Sequence, residues 1–168
     1  AARFSLTMDE GTKRVCRGIA LDDLPSERVL GEIEKLLLLA ARPSIGFALG
    51  LELGVVVALI PEMAALAGCP QEPEWHPEGD VWVHTLMVVD EAARLRGSDA
   101  DLDLALMFGA LCHDLGKPLT TAEQDGRVVS PAHDVEGDAP TRELLARLRV
   151  PGALLERVRA HVRHHLAP

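Results

Sequence analysis

The string His113-Asp114-Leu115-Gly116-Lys117-Pro118 carries the strongest chemical signal in the chain. It closes an oily stretch that contains Leu104, Leu106, Met107, Phe108, Leu111 and Cys112. A His and an Asp cost free energy to bury unpaired, so both at the end of a buried helix make sense if a cation receives them. Carbonyls at a helix C-terminus also favour positive charge. Taken alone, the pair could instead cap the helix where it leaves the core.

Other histidines argue for the cation. His84 sits on the shoulder of the apolar face of a helix expected over 81–96, one turn before Val88 and in register with Leu95. By itself it would read as a core histidine. In the last helix, Leu154, Leu155, Val158 and Val162 define an apolar stripe. A period of 3.6 puts His165 near its middle, His161 at its edge and His164 further out. His133 follows Ser130-Pro131-Ala132 at the start of a turn. Seven histidines, five of them at helix ends and inner faces, are hard to explain as core filler. A mixture of His and carboxylate suits Mn, Fe, Ni, Co or Zn and tolerates Mg.

The elements that must position these groups are helical. The 168 residues are 48% hydrophobic, enough for one compact domain, or one domain with a short helical extension. Aromatics make up only 3% and Tyr is absent, while Leu, Ala and Val dominate, which suits helix-on-helix packing. A net charge of −9 argues against wide coating of nucleic acid, since phosphate neutralisation supplies most non-specific affinity; a local basic pocket stays open. Cys16, Cys69 and Cys112 are far apart, odd in number and form no CxxC, so they read as reduced thiols in a cytoplasmic protein. The longest apolar run, near Val55 to Ile60, is far short of the roughly 20 residues of a membrane span. No signal peptide is visible, and a membrane partner is not expected. The first residue is Ala1 rather than Met, so the chain reads as a piece of something longer.

Short helices are expected over 9–19, from Ser26 as N-cap to 39, and from 44 onward with Gly54 as an interruption before Pro61. Leu36, Leu37, Ile45 and Leu49 should bury apolar surface against the rest of the chain. Residues 68–80 (GCPQEPEWHPEGD) hold three prolines and two glycines and must be an irregular connection. Trp75 and the HPEGD turn are expected to be structural, with Asp80 capping the next helix and His76 not a ligand. The boundary is placed here, between a helical extension (1–67) and the module that carries the chemistry (68–168). Further helices are expected over 81–96, 102–115, 140–148 and 151–166, with a brief extended piece at 126–129. The expected fold class is all-α.

The order His84, His113-Asp114 with Gly-Lys following, His133 with a Gly four residues on, and His164-His165 in a helix resembles the HD superfamily of metal-dependent phosphohydrolases. HPEGDVWVHT (76–85), LCHDLGKP (111–118) and LPSERVLGEIEKLLL (24–38) are similar to the neck, body and HD regions of bacterial tRNA nucleotidyltransferases, the CCA-adding enzymes and their poly(A) polymerase relatives. The resemblance implies an HD-type helical bundle with an N-terminal extension. It implies that His84, His113 and Asp114 hold one divalent ion (Mg, Mn, Co, Ni, Fe or Zn), and that His133, His164 and His165 recruit a second. It also implies a nucleotide or RNA-end substrate: a 2′,3′-cyclic phosphate, a 2′-nucleotide or another RNA-end phosphoester.

In that reading Asp114 and Lys117 are the catalytic pair, with Asp114 orienting the nucleophile. Lys117, just past the helix end, neutralises phosphate charge unless it merely caps the helix. Lys117 and Arg127 are the candidate phosphate contacts. The Gly-rich nucleotidyltransferase head with its paired Asp residues is absent from the chain, so nucleotide addition is not expected of it alone, and a separate head is a candidate partner. Many HD domains also carry a final Asp ligand on a later helix, whereas this chain stops at Pro168; Asp138 or a water would take that place. One rival reading is a non-catalytic segment of a nucleotidyltransferase system that holds RNA or a partner. The other is a nucleotide sensor without turnover.

Overall fold

A computed structural model of the chain describes residues 2–4 and 6–167. Ala1 and Pro168, on which the reading of the chain ends rested, lie outside them. The described residues are mainly helical, as expected. Helix α1 (Glu10–Arg17) starts where Asp9 accepts the Thr12 N–H. Helix α2 (Ser26–Leu39) begins differently from expectation: Pro25 is the N-cap, and its carbonyl accepts from Arg28 and Val29 while Ser26 is already helical. The fixed φ of proline supplies the start without a side-chain cap. Helix α3 (Ser44–Glu52) is capped from outside its own segment. Buried Asp90 accepts from the Ser44 backbone N–H (3.0 Å) and from the Ser44 hydroxyl (2.7 Å).

Gly54, at φ +80°, separates α3 from α4 (Val55–Leu59), which runs into α5 (Pro61–Ala64). Few other residue types tolerate that left-handed angle. The connection over 68–80 is irregular, as its prolines require. It ends at Asp80, whose carboxylate accepts from Val83 N (2.9 Å) and Gly68 N (2.7 Å), capping α6 (Val81–Arg94) and closing the loop with one side chain. Asp99 likewise caps α7 (Ala100–Cys112). After it come α8 (Lys117–Thr120), a hairpin of β1 (Ala122–Gln124) and β2 (Arg127–Val129), α9 (His133–Glu136), α10 (Asp138–Arg147) and α11 (Gly152–His164).

The centre of the fold is α7, which packs on α2, α6 and α11. Met107, Phe108, Leu111 and Cys112 on it are buried, each large apolar side chain contributing roughly 1.5–3 kcal/mol. The same core includes Leu37, Phe47, Val56, Met63 and Leu66 from the first 67 residues, and Leu144, Val158 and Val162 from the last helices. It runs through the expected boundary, where Val81 N donates to Cys69 O (3.0 Å) and Trp82 N to Leu66 O (3.2 Å). Arg96 fastens the extension by donating to Leu37 O and Ala40 O at the end of α2.

One expectation on burial needs correction. Leu37 is buried and Leu36 packs half-buried against the core, but Ile45 is exposed while Phe47 of the same helix faces inward, and Leu49 is half-buried. Docking of α3 on α6 through Ser44 and Asp90 sets the rotation of α3, which composition does not reveal. Trp75 is exposed, with the Arg127 guanidinium over its ring. Cys16, Cys69 and Cys112 are free thiols.

Candidate metal centre

Helix α7 ends at Cys112, so His113 and Asp114 lie just beyond its last turn. Asp114 is 1% exposed. Four imidazoles surround it, and each turns its Nε2 inward. His113 Nε2 is 3.1 Å and His84 Nε2 3.9 Å from Asp114 Oδ2; His133 Nε2 is 3.3 Å and His165 Nε2 3.9 Å from Oδ1. They come from α6, the α7 terminus, α9 and the turn after α11.

The other ring nitrogen of every histidine is tied down. His113 Nδ1 faces Ala110 O (2.9 Å), His133 Nδ1 faces Ser130 O (2.7 Å) and His165 Nδ1 faces Val162 O (2.6 Å). A carbonyl oxygen can only accept, so the proton sits on Nδ1 and the neutral ring presents a bare lone pair at Nε2. His84 Nδ1 meets Glu78 Oε1 at 2.7 Å, with the same result. Glu78 Oε1 also takes His76 Nδ1 at 3.0 Å. The His76 contact, first among the causes, holds the Glu78 carboxyl down at about 2, so it is a charged acceptor at neutral pH. Orientation of a ligand imidazole by an outer carboxylate or carbonyl is the usual support of a metal site.

Electrostatics point the same way. Burial pushes Asp114 up, but the neighbouring His113, His133 and Lys117 outweigh it and hold the carboxyl far below its ordinary range. Lys117 Nζ stands 2.8 Å from Asp114 Oδ2, an ion-pair distance, while its aligned hydrogen bond goes to Gln71 Oε1 at 2.6 Å. Asp114 Oδ2 is therefore buried without an aligned donor. Burial lowers the basicity of His84 and His165, whereas Asp114 raises that of His133.

These residues fit a divalent ion. Two ligand sets, His84–His113–Asp114 and Asp114–His133–His165, each keep their ligand atoms within 4.8 Å of one another. They share Asp114, which turns one oxygen to each. His133 Nε2 and His165 Nε2 are 3.2 Å apart; two facing lone pairs repel unless a proton or a metal lies between them. Glycine makes the approach of α9 possible. A Cβ on Gly116 would fall inside contact distance of the His133 carbonyl and 2.6 Å from Gly137 N. Ala132, at φ +55°, turns the chain into α9 in a conformation costly for a residue with a Cβ.

Residues 81–168 match the HD domain family. The chain belongs to that family. The HD domain begins at the first turn of α6 and includes every member of the Asp114 cluster. Relatives of the whole chain are Multifunctional CCA proteins. That of Laribacter hongkongensis is 43% identical over 155 residues, covering 90% of this chain and 36% of the relative. That of Stenotrophomonas maltophilia is 39% identical over 169 residues, 98% of this chain and 40% of the relative. That of Pasteurella multocida is 41% identical over 138 residues, 80% and 31%. The chain thus spans about a third of the length of the curated relatives it matches.

Of the ligands read from the sequence, the HD domain brings together His84, His113, Asp114, His133 and His165. His164 is exposed and outside both sets; one residue along a helical turn is rotated about 100° away. Asp138 does not reach the cluster either, because the Arg159 guanidinium holds both its oxygens, at 2.7 and 3.0 Å. Arg127 is exposed and pairs with Glu74 at 3.2 Å. His76 meets the centre through Glu78 and by packing edge-on against the His84 ring, and His76, Glu78 and His84 themselves form a third group of ligand type. Sequence reasoning missed Glu78 and Gln71. Glu78 was readable only as part of a turn, and the hydrogen bond of Gln71 to Lys117 spans 46 positions.

Proposed function

We propose that this HD domain is a metal-dependent phosphohydrolase acting on 2′,3′-cyclic nucleotides, 2′-nucleotides or RNA-end phosphoesters, within a protein that also handles tRNA 3′ ends. One observation carries the reading: four imidazoles present Nε2 to a single buried carboxylate that turns one oxygen to each of two ligand sets. His84, His113 and Asp114 would hold one ion, and Asp114, His133 and His165 a second. The identity and number of ions among Mg, Mn, Co, Ni, Fe and Zn belong to the proposal. A bound divalent ion supplies Lewis-acid polarisation of the phosphoryl group and lowers the pKa of water.

The residues of the chain do the rest. Asp114, kept ionised, accepts a hydrogen bond from the attacking water and sets its direction. Lys117 Nζ donates one hydrogen bond, to Gln71, and lies at ion-pair distance from Asp114, so an N–H is left for a phosphoryl oxygen. Arg127, pointing elsewhere in its pairing with Glu74, would contact only an extended RNA end. The resemblance of 24–38, 76–85 and 111–118 to tRNA nucleotidyltransferases supports an RNA-end substrate and a partner nucleotidyltransferase head. Among the described residues, no helix is long and apolar enough to cross a membrane; a cytoplasmic setting is part of the same proposal.

The second reading, an accessory segment that holds RNA or a head domain without turnover, draws on the extension sharing the core. A metal-supplemented assay of the chain against 2′,3′-cyclic nucleotides, with EDTA as control, separates the two. Asp114→Ala should abolish activity. Lys117→Ala should reduce it less, by a factor of the order of 10²–10³. Bound metal without turnover across Mg, Mn, Co and Ni would leave the accessory reading.

A further inference from the structure

A groove of about 540 Å³ runs between α7 and α11 and ends at the metal centre. His113 and His165 line its inner end, and their rings meet nearly edge to face, with centroids 5.4 Å apart. Its volume lies in the range of small-ligand sites, roughly 300–1,000 Å³. The sides are mostly apolar, with Leu106, Gly109 and Ala110 on α7 and Ala160 on α11, and His164 also lines it. His161 stands against Gly109 so closely that a Cβ there would lie 2.5 Å from its Nδ1. The absence of that Cβ lets α11 lay an imidazole directly on the α7 backbone. Among the described residues, no carboxylate, lysine or arginine lines the groove.

From this geometry we infer that the groove is the nucleoside subsite of the centre, and that His161 is the wall against which the base stacks. The inference rests on the phosphohydrolase reading for where the phosphate lies, beside Asp114. An ester bound there must extend its organic part out past the ligand histidines, and the groove continues from two of them. Its lining selects what fits. Without fixed charge, it does not attract a second phosphate; without acidic groups, it does not repel the substrate despite the chain's net charge of −9. A flat, uncharged heteroaromatic ring matches mostly apolar sides and an exposed imidazole face, and stacking of this kind tolerates any base. His161 is thus a specificity residue one helical turn before the ligand His165.

The test measures equilibrium binding of adenosine 2′-monophosphate and of inorganic phosphate to the Mn²⁺-supplemented chain, for the wild type, His161→Ala and Ala160→Leu. The expected result is that the nucleotide binds more tightly than phosphate. Both substitutions should weaken the nucleotide by about tenfold and leave phosphate unchanged. Equal affinity of the wild type for the two ligands would overturn the inference, as would equal weakening of both or no weakening of either. Turnover of 2′,3′-cyclic AMP is followed in parallel. With the selective binding loss present and turnover absent, the subsite stands and the hydrolase reading falls. With turnover present and no selective loss, the reverse holds.

Discussion

His133 Nε2 faces His165 Nε2 across 3.2 Å, and both rings donate their Nδ1–H to backbone carbonyls, of Ser130 and Val162. Such a pair needs a positive charge between its lone pairs. Without metal, a proton serves: Asp114 raises the His133 pKa above its ordinary value of 6.5. The stability contributed by that charged ring is full below pH 6.5 and is lost as pH rises through the raised folded value. With metal, the ligands must be neutral. Mn²⁺ or Zn²⁺ should therefore raise Tm more at pH 8 than at pH 6, and binding should release protons, measurable by calorimetry in buffers of different ionisation enthalpy. An affinity independent of pH between 6 and 8 would contradict this arrangement.

Glu78 should act on the centre without touching it. Its oxygen fixes the tautomer of His84 from the far side of the ring. Glu78→Ala is expected to weaken metal affinity by about 10–100-fold while thermal stability in EDTA changes little. Glu78→Gln retains an acceptor and should recover part of the loss. Equal metal affinity in all three proteins would show that His84 is held by packing alone.

Gly116 is expected to be irreplaceable for spatial reasons. An Ala there must push α9 off the loop, because its Cβ meets the His133 carbonyl and Gly137 N. Overpacking of this kind costs typically 1–3 kcal/mol. Gly116→Ala should lower Tm and withdraw His133 from Asp114, so Tm and metal content should fall together, whereas His84→Ala should lose metal with a smaller change in Tm. A variant with wild-type Tm and metal content would mean the loop shifts freely.

Asp138 should prove structural. Arg159 holds its carboxyl below the usual range. A carboxylate with a depressed folded pKa contributes stability above its unfolded value near 3.8, and that contribution is lost as pH falls through the folded value. Asp138→Asn should thus melt earlier than the wild type at pH 7, with the gap narrowing towards pH 3, and should bind metal normally. Loss of metal at unchanged Tm would restore Asp138 as the missing ligand.

The chain's local pattern was enough for much of this. Apolar spacing, Asp80 as a cap and Gly54 as a break define helices through interactions within a few residues. The His-Asp pair announced chemistry because such groups cannot sit unpaired at the end of an oily helix. The 3.6 period also ranked His165 above His164, and the exposure of His164 agrees with that ranking. Through-space relationships were not legible. Phe47 rather than Ile45 faces inward because Asp90 docks α3; Asp138 is claimed by Arg159, 21 positions away; Glu78 and Gln71 reach His84 and Lys117 from an irregular connection. Helical periodicity tells which side of an element is apolar, but not which neighbour meets it or at what rotation. Helix packing decides that, and packing alone brings four separate imidazoles around one carboxylate.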